Sequence, residues 1–221
     1  MSILRLAFTW QNAAFFKQIN LQLFLVGSYF DAITIALLSM PLFLLVHPLR
    51  KQFNPRLKAI VTWLTKCYLV LIGLIILVLN TWDIAYFSYT QKRSGFSYFL
   101  HLLTGTETSS LAGEFLKEFW WLPLLFFGLA FVLWRALVRF GNNEPSKSSK
   151  RAWLQFILIL TLAIILGRGG VQLRPIGIVD ATAFSSLEQA PIVLNTAFTV
   201  LKTTDEGSAQ LLHFHDQNAM R

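Results

Sequence analysis

Two arginines and two aspartates are the side chains whose type and position suggest chemistry in this sequence. Arg168 and Arg174 belong to a glycine-rich stretch, Gly-Arg-Gly-Gly-Val-Gln-Leu-Arg-Pro over residues 167–175, which directly follows the last apolar run. A guanidinium presents a planar fork that suits phosphate or carboxylate, and glycine lets the backbone turn sharply or approach a ligand closely. The stretch therefore predicts that an anionic group is handled at a membrane surface; the alternative is that the two arginines only snorkel to the headgroup region.

The aspartates stand out because of their apolar surroundings. Asp31 lies inside one apolar run, and Asp83 lies at the end of another. A charged side chain within the bilayer costs about 2.5–3.5 kcal/mol on insertion scales, so it is a functional candidate. The alternatives are a buried Asp31 satisfied by a Ser, Thr or Arg of a neighbouring helix, and a solvated Asp83 at the membrane boundary. We predict that both aspartates lie near the two arginines around a lipid headgroup, with the arginines on the phosphate.

Other reactive side chains give weaker signals. The single cysteine, Cys67, lies in an apolar run, so it supports neither a disulfide framework nor a cysteine metal site. The sequence His-Phe-His-Asp at 213–216 resembles a metal cluster only superficially, because no further ligands are fixed. We therefore predict no metal site. No nucleophile–base pair is evident either, so no catalytic residue is assigned.

The composition is that of a membrane protein. Of 221 residues, 55% are hydrophobic and only 14% are charged, whereas a soluble domain has about a quarter charged. Four apolar runs are candidates for spanning helices, which need about 20 apolar residues each. They cover about 23–47, 59–80, 119–138 and 152–167. The predicted fold is an all-α, polytopic membrane helix bundle over 22–168.

The segments outside the bundle follow from the loop charges. The 48–58 and 135–151 segments carry most of the Lys/Arg excess, which marks the cytoplasmic side. The net charge of +8 is thus an orientation signal, and no nucleic-acid partner is predicted. Residues 1–21 become an external N-terminal segment, and 169–221 an extracytoplasmic linker with an amphipathic helix near 192–201. Because the first run then enters from outside, we expect a further helix before it.

Four sequence blocks together resemble a known family. They are Gly27-x-x-Phe30-Asp31, then Asp83-Ile84-Ala85-Tyr86-Phe87 with Lys92-Arg93, then 167–175, and finally Leu194-Asn195-Thr196-Ala197-Phe198. In this order they resemble the membrane portion of the lipoteichoic acid synthases, the phosphoglycerol transferases with an alkaline-phosphatase/sulfatase-like catalytic domain. The resemblance covers most of residues 20–205.

The resemblance implies five spanning helices, an external amphipathic linker and an extracytoplasmic domain with a metal ion, usually manganese, and a threonine nucleophile. Such enzymes move glycerol phosphate from phosphatidylglycerol onto a polymer or glycan. This sequence shows four helices and none of the catalytic motifs, so no cofactor or catalytic residue is carried over to it. The expectation is a membrane-anchoring, lipid-facing part in the bacterial cytoplasmic membrane, inactive alone, with an anionic phospholipid and a separate catalytic subunit as partners.

Two rival interpretations belong to other classes. A small membrane scaffold would use the same helices to hold a subunit or a lipid without doing chemistry. A transporter half is less favoured, because the charges sit near one interface rather than at the midplane where transporter sites cluster.

Overall fold

The computed structural model describes residues 1–45, 54–99, 117–140, 150–172 and 174–204. Within these ranges the regular structure is helical and no strand is present, which confirms the all-α prediction for this part of the chain. The main helices are α1 (Ser2–Gln11), α2 (Leu21–Leu45), α3 (Pro55–Thr90), α4 (Trp121–Phe140) and α5 (Lys150–Arg168). A short α6 (Ala190–Val193) and a helix α7 over residues 196–204, the last of the described range, follow.

Among the described residues, two helices are long and apolar enough to cross a membrane. Their most apolar windows have a mean hydropathy of 1.8 in Leu21–Phe43 and 2.2 in Pro55–Thr90. The apolar stretches of α4 and α5, Trp121–Leu137 and Trp153–Arg168, are shorter. Two of the four predicted spans therefore meet the length and apolarity that a bilayer crossing requires.

Helix α3 extends well beyond the predicted run of 59–80, to Thr90. The predicted end of this run at residue 80 was therefore wrong, because residues 81–90 are helical. No glycine or proline occurs between residues 74 and 94 to stop the helix. It ends where Gln91 adopts a φ of 53° and its N–H donates to the Phe87 carbonyl at 2.8 Å. This is a left-handed cap with glutamine where glycine is usual.

The chain folds into two compact units. The first comprises Met1–Asp31, Leu79–Leu124 and Gly177–Arg221, and the second Ala32–Val78 and Leu125–Ile176. The first unit is built around aromatic side chains. Phe87 packs on Phe8 with ring centroids 4.9 Å apart and stacks on Phe16 at 5.6 Å. These contacts join α1 and the segment that follows it to the end of α3.

The second unit holds parts of α2, α3 and α4 and the whole of α5. The Tyr68 hydroxyl donates to the Leu38 carbonyl at 2.7 Å, which links α3 to α2. Phe43 and Phe156 meet with ring centroids 6.1 Å apart, which links α2 to α5. Residues 141–149 of the basic 135–151 segment and most of the 48–58 loop lie outside the described residues, as does the His-Phe-His-Asp sequence.

Candidate functional site

Asp31 forms a buried ion pair with Arg5, a residue of α1. The two terminal nitrogens of Arg5 donate to the two Asp31 oxygens at 2.8 and 2.7 Å, so the pair is bidentate. The side chains are only 3% and 8% exposed. Bidentate guanidinium–carboxylate contacts fix geometry as well as charge. Asp31 is thus neutralised by an arginine of another helix. Arginine was one of the three partner types considered for a buried Asp31.

Arg5 also binds three backbone carbonyls. It donates to Gly27 at 2.7 Å, to Ile192 at 2.9 Å and to Val193 at 3.3 Å. The approach to α2 requires a glycine, because a Cβ at position 27 would lie 2.5 Å from Cζ of Arg5. Ile192 and Val193 close the short helix α6, whose last carbonyls lack partners within the helix. Arg5 therefore ties α1, α2 and α6 together.

Asp83 forms a second buried pair, with Arg93. Nη1 of Arg93 lies 2.9 Å from Oδ2 of Asp83, and the side chains are 5% and 0% exposed. The Ser94 hydroxyl donates to the same carboxylate at 2.6 Å, and the Thr196 hydroxyl donates to it at 2.9 Å. The alternative considered for Asp83 was a solvated side chain at the membrane boundary. The structure instead buries this side chain. Burial of this carboxylate is compensated by three side-chain donors.

Arg93 parallels Arg5 in its contacts. Its Nε donates to the Pro191 carbonyl of α6 at 2.8 Å, and its guanidinium carbon lies 3.5 Å from the ring centroid of Phe8. Burial lowers the pKa of Arg93 from its ordinary value, and the adjacent Asp83 carboxylate opposes that shift. Stacking on an aromatic face and pairing with a carboxylate both stabilise a buried guanidinium.

Asn195 and Thr196 connect the two pairs. Asn195 donates to Asp31 at 2.9 Å, and Thr196 donates to Asp83 at 2.9 Å. The side-chain oxygen of Asn195 accepts the N–H of Phe198 at 2.8 Å, so Asn195 is the N-cap of α7. The Thr196 N–H, also in that first turn, donates to Asn80 at 3.1 Å. We call the two ion pairs, Arg5–Asp31 and Arg93–Asp83, together with Asn195 and Thr196, the two-pair cluster.

The predicted amphipathic helix at 192–201 is broken in two by this arrangement. Leu194 has an extended backbone, with φ −72° and ψ 149°, and separates α6 from α7. Ile192 and Phe198 are both 0% exposed, so the apolar face predicted there packs inside the first unit. The physical reason is that the N-cap at Asn195 requires a non-helical residue just before α7.

The two-pair cluster is closed rather than open to a ligand. The cavity beside it has a volume of about 10 Å³, which is close to the space that a single water occupies. The lining residues are Met1, Leu4, Arg5, Asp31, Asn80, Arg93, Leu194 and Asn195. With two guanidiniums opposite two carboxylates, the cluster has no net charge for an anion to use. Its geometry is suited to holding helices together.

Arg168 and Arg174 lie in the second unit, whereas Asp31 and Asp83 lie in the first. The hydrogen bonds of the two aspartates given above go to Arg5 and Arg93, not to the predicted arginines. Both Arg168 and Arg174 are exposed. Arg168 is the last residue of α5, and its guanidinium contacts the Gln172 carbonyl at 3.4 Å.

The glycines beside Arg168 end α5. Gly169 N–H donates to the Leu166 carbonyl at 2.8 Å, and Gly170 N–H donates to the Ile165 carbonyl at 2.9 Å. These are the two bonds of a Schellman cap, and Gly169 has the left-handed φ of 79° that the cap requires. The glycine-rich stretch is thus a helix stop, which leaves an arginine at the C-terminal end of the helix where positive charge is favoured.

Replacing Gly169 with alanine should lower the free energy of unfolding by about 1–2 kcal/mol, the cost of a left-handed conformation for a residue with a Cβ. The added Cβ would also lie 2.5 Å from Cγ2 of Ile176. The measurement is thermal unfolding of the detergent-purified protein. Gly128→Ala in α4 is the matched control, because a Cβ there meets nothing within 4 Å. Equal melting temperatures for the two variants would contradict the assigned cap.

Two of the central residues, Arg5 and Arg93, were not assigned from the sequence. Arg5 belongs to the predicted external segment 1–21, and Arg93 to the Lys92-Arg93 pair of the second block. A signal for both was present, because a carboxylate in an apolar run requires a cation or donors nearby. Among the described residues, no group of three or more metal-ligating side chains comes together. Since Asp31 and Asp83 already accept from guanidinium, hydroxyl and amide donors, they do not fit a manganese site.

No family model, curated protein or solved structure matches this chain.

Proposed function

We propose that this chain is the membrane-anchoring, lipid-facing part of a phosphoglycerol-transferase-type enzyme similar to the lipoteichoic acid synthases. The observation that carries the proposal is the two-pair cluster. Three of the four blocks behind the resemblance supply its residues: Asp31 from the first, Asp83 and Arg93 from the second, and Asn195 and Thr196 from the last. These blocks lie far apart in the sequence, and all three contribute residues to one site.

The proposed role of the two-pair cluster is to fix where the chain leaves the membrane. Arg5 and Arg93 hold the carbonyls of α6, and the two carboxylates hold Asn195 and Thr196 at the start of α7. A catalytic domain that follows such a segment keeps a defined height above the bilayer. For an enzyme that attacks a phospholipid headgroup, a fixed height supplies part of the orientation on which rate depends.

The proposed topology has four crossings, α2 to α5. Helices α4 and α5 contain 20 and 19 residues, about 30 and 28 Å at 1.5 Å per residue, which is close to the hydrocarbon thickness of about 30 Å. Both helices expose large apolar side chains, such as Phe127 at 68% and Leu158 at 67%. Lipid is the solvent that suits such surfaces. The C-terminal segment is extracytoplasmic, in the cytoplasmic membrane of a bacterium.

Arg168 and Arg174 are the proposed headgroup contacts. Both are exposed, and Arg168 ends a helix in which residues 153–168 are otherwise apolar or neutral. Arginines in that position meet the phosphates of an anionic phospholipid such as phosphatidylglycerol. Asp31 and Asp83 are then positioning residues, which act through Arg5 and Arg93 on the segment that leaves the membrane.

The lipid role is tested by quantifying lipids that copurify with the protein from bacterial membranes in a mild detergent. Phosphatidylglycerol should be enriched over its share of the membrane. Each basic residue near an anionic surface contributes about 1 kcal/mol, so Arg168→Gln with Arg174→Gln should reduce the enrichment by roughly thirtyfold. The matched control is Arg135→Gln with Arg139→Gln, which removes two charges from the C-terminal end of a different helix, α4. No enrichment, or an equal loss in both double variants, contradicts the headgroup assignment.

A non-catalytic membrane scaffold is the second candidate. The observation in its favour is that Arg5, Arg93, Asp31 and Asp83 use their bonds on one another and on neighbouring backbone and polar side chains. An activity assay on tagged protein from its own cells, recovered with its bound partners, separates the candidates. Release of diacylglycerol from phosphatidylglycerol in manganese buffer supports the transferase proposal. A recovered complex without that activity supports the scaffold.

A further inference from the structure

We propose that α1 lies in the lipid at the membrane–water interface, so that its outer face is a lipid-binding surface. The outer face consists of Ile3, Leu6 and Trp10, which are 55%, 56% and 72% exposed. These residues recur at the spacing of one helical stripe. The opposite face is buried, with Leu4 at 3% and Phe8 at 1% exposed. This inference rests on the proposed membrane location and adds a surface that the sequence placed in an external segment.

The charge pattern identifies the occupant as lipid. Arg5 is the only charged side chain among residues 1–16, and it is buried against Asp31. The outer face therefore presents no charge to its surroundings. The next charge is Lys17, whose side chain is 85% exposed and 3.5 Å from Glu188. Apolar side chains on α1 followed at once by solvated charges are the pattern of a helix lying at an interface.

The outer face also continues onto a predicted membrane boundary. Trp10 packs edge-on against Trp121, the first residue of α4, with ring centroids 5.7 Å apart. The neighbouring Trp120 is 66% exposed. Tryptophan rings gather at the headgroup level of a bilayer. The Trp10–Trp121 contact joins α1 to the start of α4, and with the adjacent Trp120 it places both helix ends at that level.

The position of α1 is fixed by its inner contacts. Asn12, at the end of the helix, is 0% exposed and donates to the Ile84 carbonyl at 3.0 Å. Arg5 bonds the carbonyls of Ile192 and Val193. Lipid that holds the outer face of α1 thereby also holds α6, and with it the segment that leaves the membrane. A second copy of the chain on this face is the competing occupant.

Site-directed fluorescence in proteoliposomes tests the lipid surface. Cys67→Ser removes the only native cysteine. Trp10→Cys, Leu162→Cys and Lys17→Cys are then labelled in turn with an environment-sensitive fluorophore. Leu162 is a 55% exposed residue of α5 and the reference for lipid; Lys17 is the reference for water. We expect position 10 to be blue-shifted and quenched by lipid-attached quenchers, nearer to Leu162 than to Lys17. Melting temperatures confirm that each variant is folded.

The contrary outcomes are distinct. If position 162 is also unquenched by lipid, the membrane location itself fails, and this inference fails with it. If position 162 is quenched while position 10 behaves like position 17, only the lipid surface on α1 is overturned. A blue shift without lipid quenching, together with disulfide cross-linking of Trp10→Cys between copies, assigns the surface to a second copy and also overturns the proposal.

Discussion

Replacing Asp83 with alanine is expected to lower the free energy of unfolding by about 3–5 kcal/mol, the cost of breaking a buried ion pair from one side. Asp83 is fully buried and accepts from Arg93, Ser94 and Thr196. Without the carboxylate, a guanidinium and two hydroxyls lose a bonding partner inside the protein. The effect is measured as the thermal unfolding of purified protein in detergent and as the amount of intact protein in membranes.

The matched control is Glu188→Ala, which breaks an ion pair on the surface. Glu188 lies 3.5 Å from Lys17, and its side chain is 62% exposed. Exposed pairs contribute about 0–1 kcal/mol, so this variant should unfold close to the wild type. If Asp83→Ala and Glu188→Ala unfold at the same temperature, the buried pair does not stabilise the first unit as we describe.

Replacing Arg5 with methionine is expected to have an effect of similar size, about 3–5 kcal/mol. The change leaves Asp31, which is only 6% exposed, as a buried carboxylate without its cation. Adding Asp31→Leu should restore part of the loss, because the double variant no longer buries an unpaired charge. Full recovery is not expected, since the Gly27 and Ile192 carbonyls still lack the donor that Arg5 provided.

Unfolding of the two single variants and the double variant forms a double-mutant cycle, which isolates the interaction between the side chains. Limited proteolysis adds a local readout, because Arg5→Met removes two bonds to α6 and should speed cleavage between residues 186 and 196. Strictly additive losses, with no recovery in the double variant, would show that Arg5 and Asp31 are not coupled.

The apolar runs allowed most of the helices to be predicted. Helices α2, α4 and α5 each begin or end within a few residues of the runs at 23–47, 119–138 and 152–167. Long apolar segments are a strong signal because the bilayer or a core must cover them along their whole length. Asp31 and Asp83 were also recognisable, because a carboxylate is costly in such surroundings.

The partners of the two aspartates could not be read from their positions. Arg5 precedes Asp31 by 26 residues, and Asn195 follows it by 164, so no local periodicity links them. The start of α7 was within reach, since asparagine is a preferred N-cap. It was missed because the apolar residues of 192–201 also fit one uninterrupted helix, and packing against the two-pair cluster decides between the two arrangements.

The bonds from Arg5 to α6 have a consequence for the order of biosynthesis. Arg5 and Ile192 are 187 positions apart, so the ribosome must deliver nearly the whole described chain before those bonds form. The pair with Asp31 needs only α1 and α2 and is available early. Until α6 emerges, however, Arg5 lacks two of its four acceptor groups. The bonding of Arg5 in the first unit is therefore completed only after α6, which follows α2 to α5 in the chain, has been made.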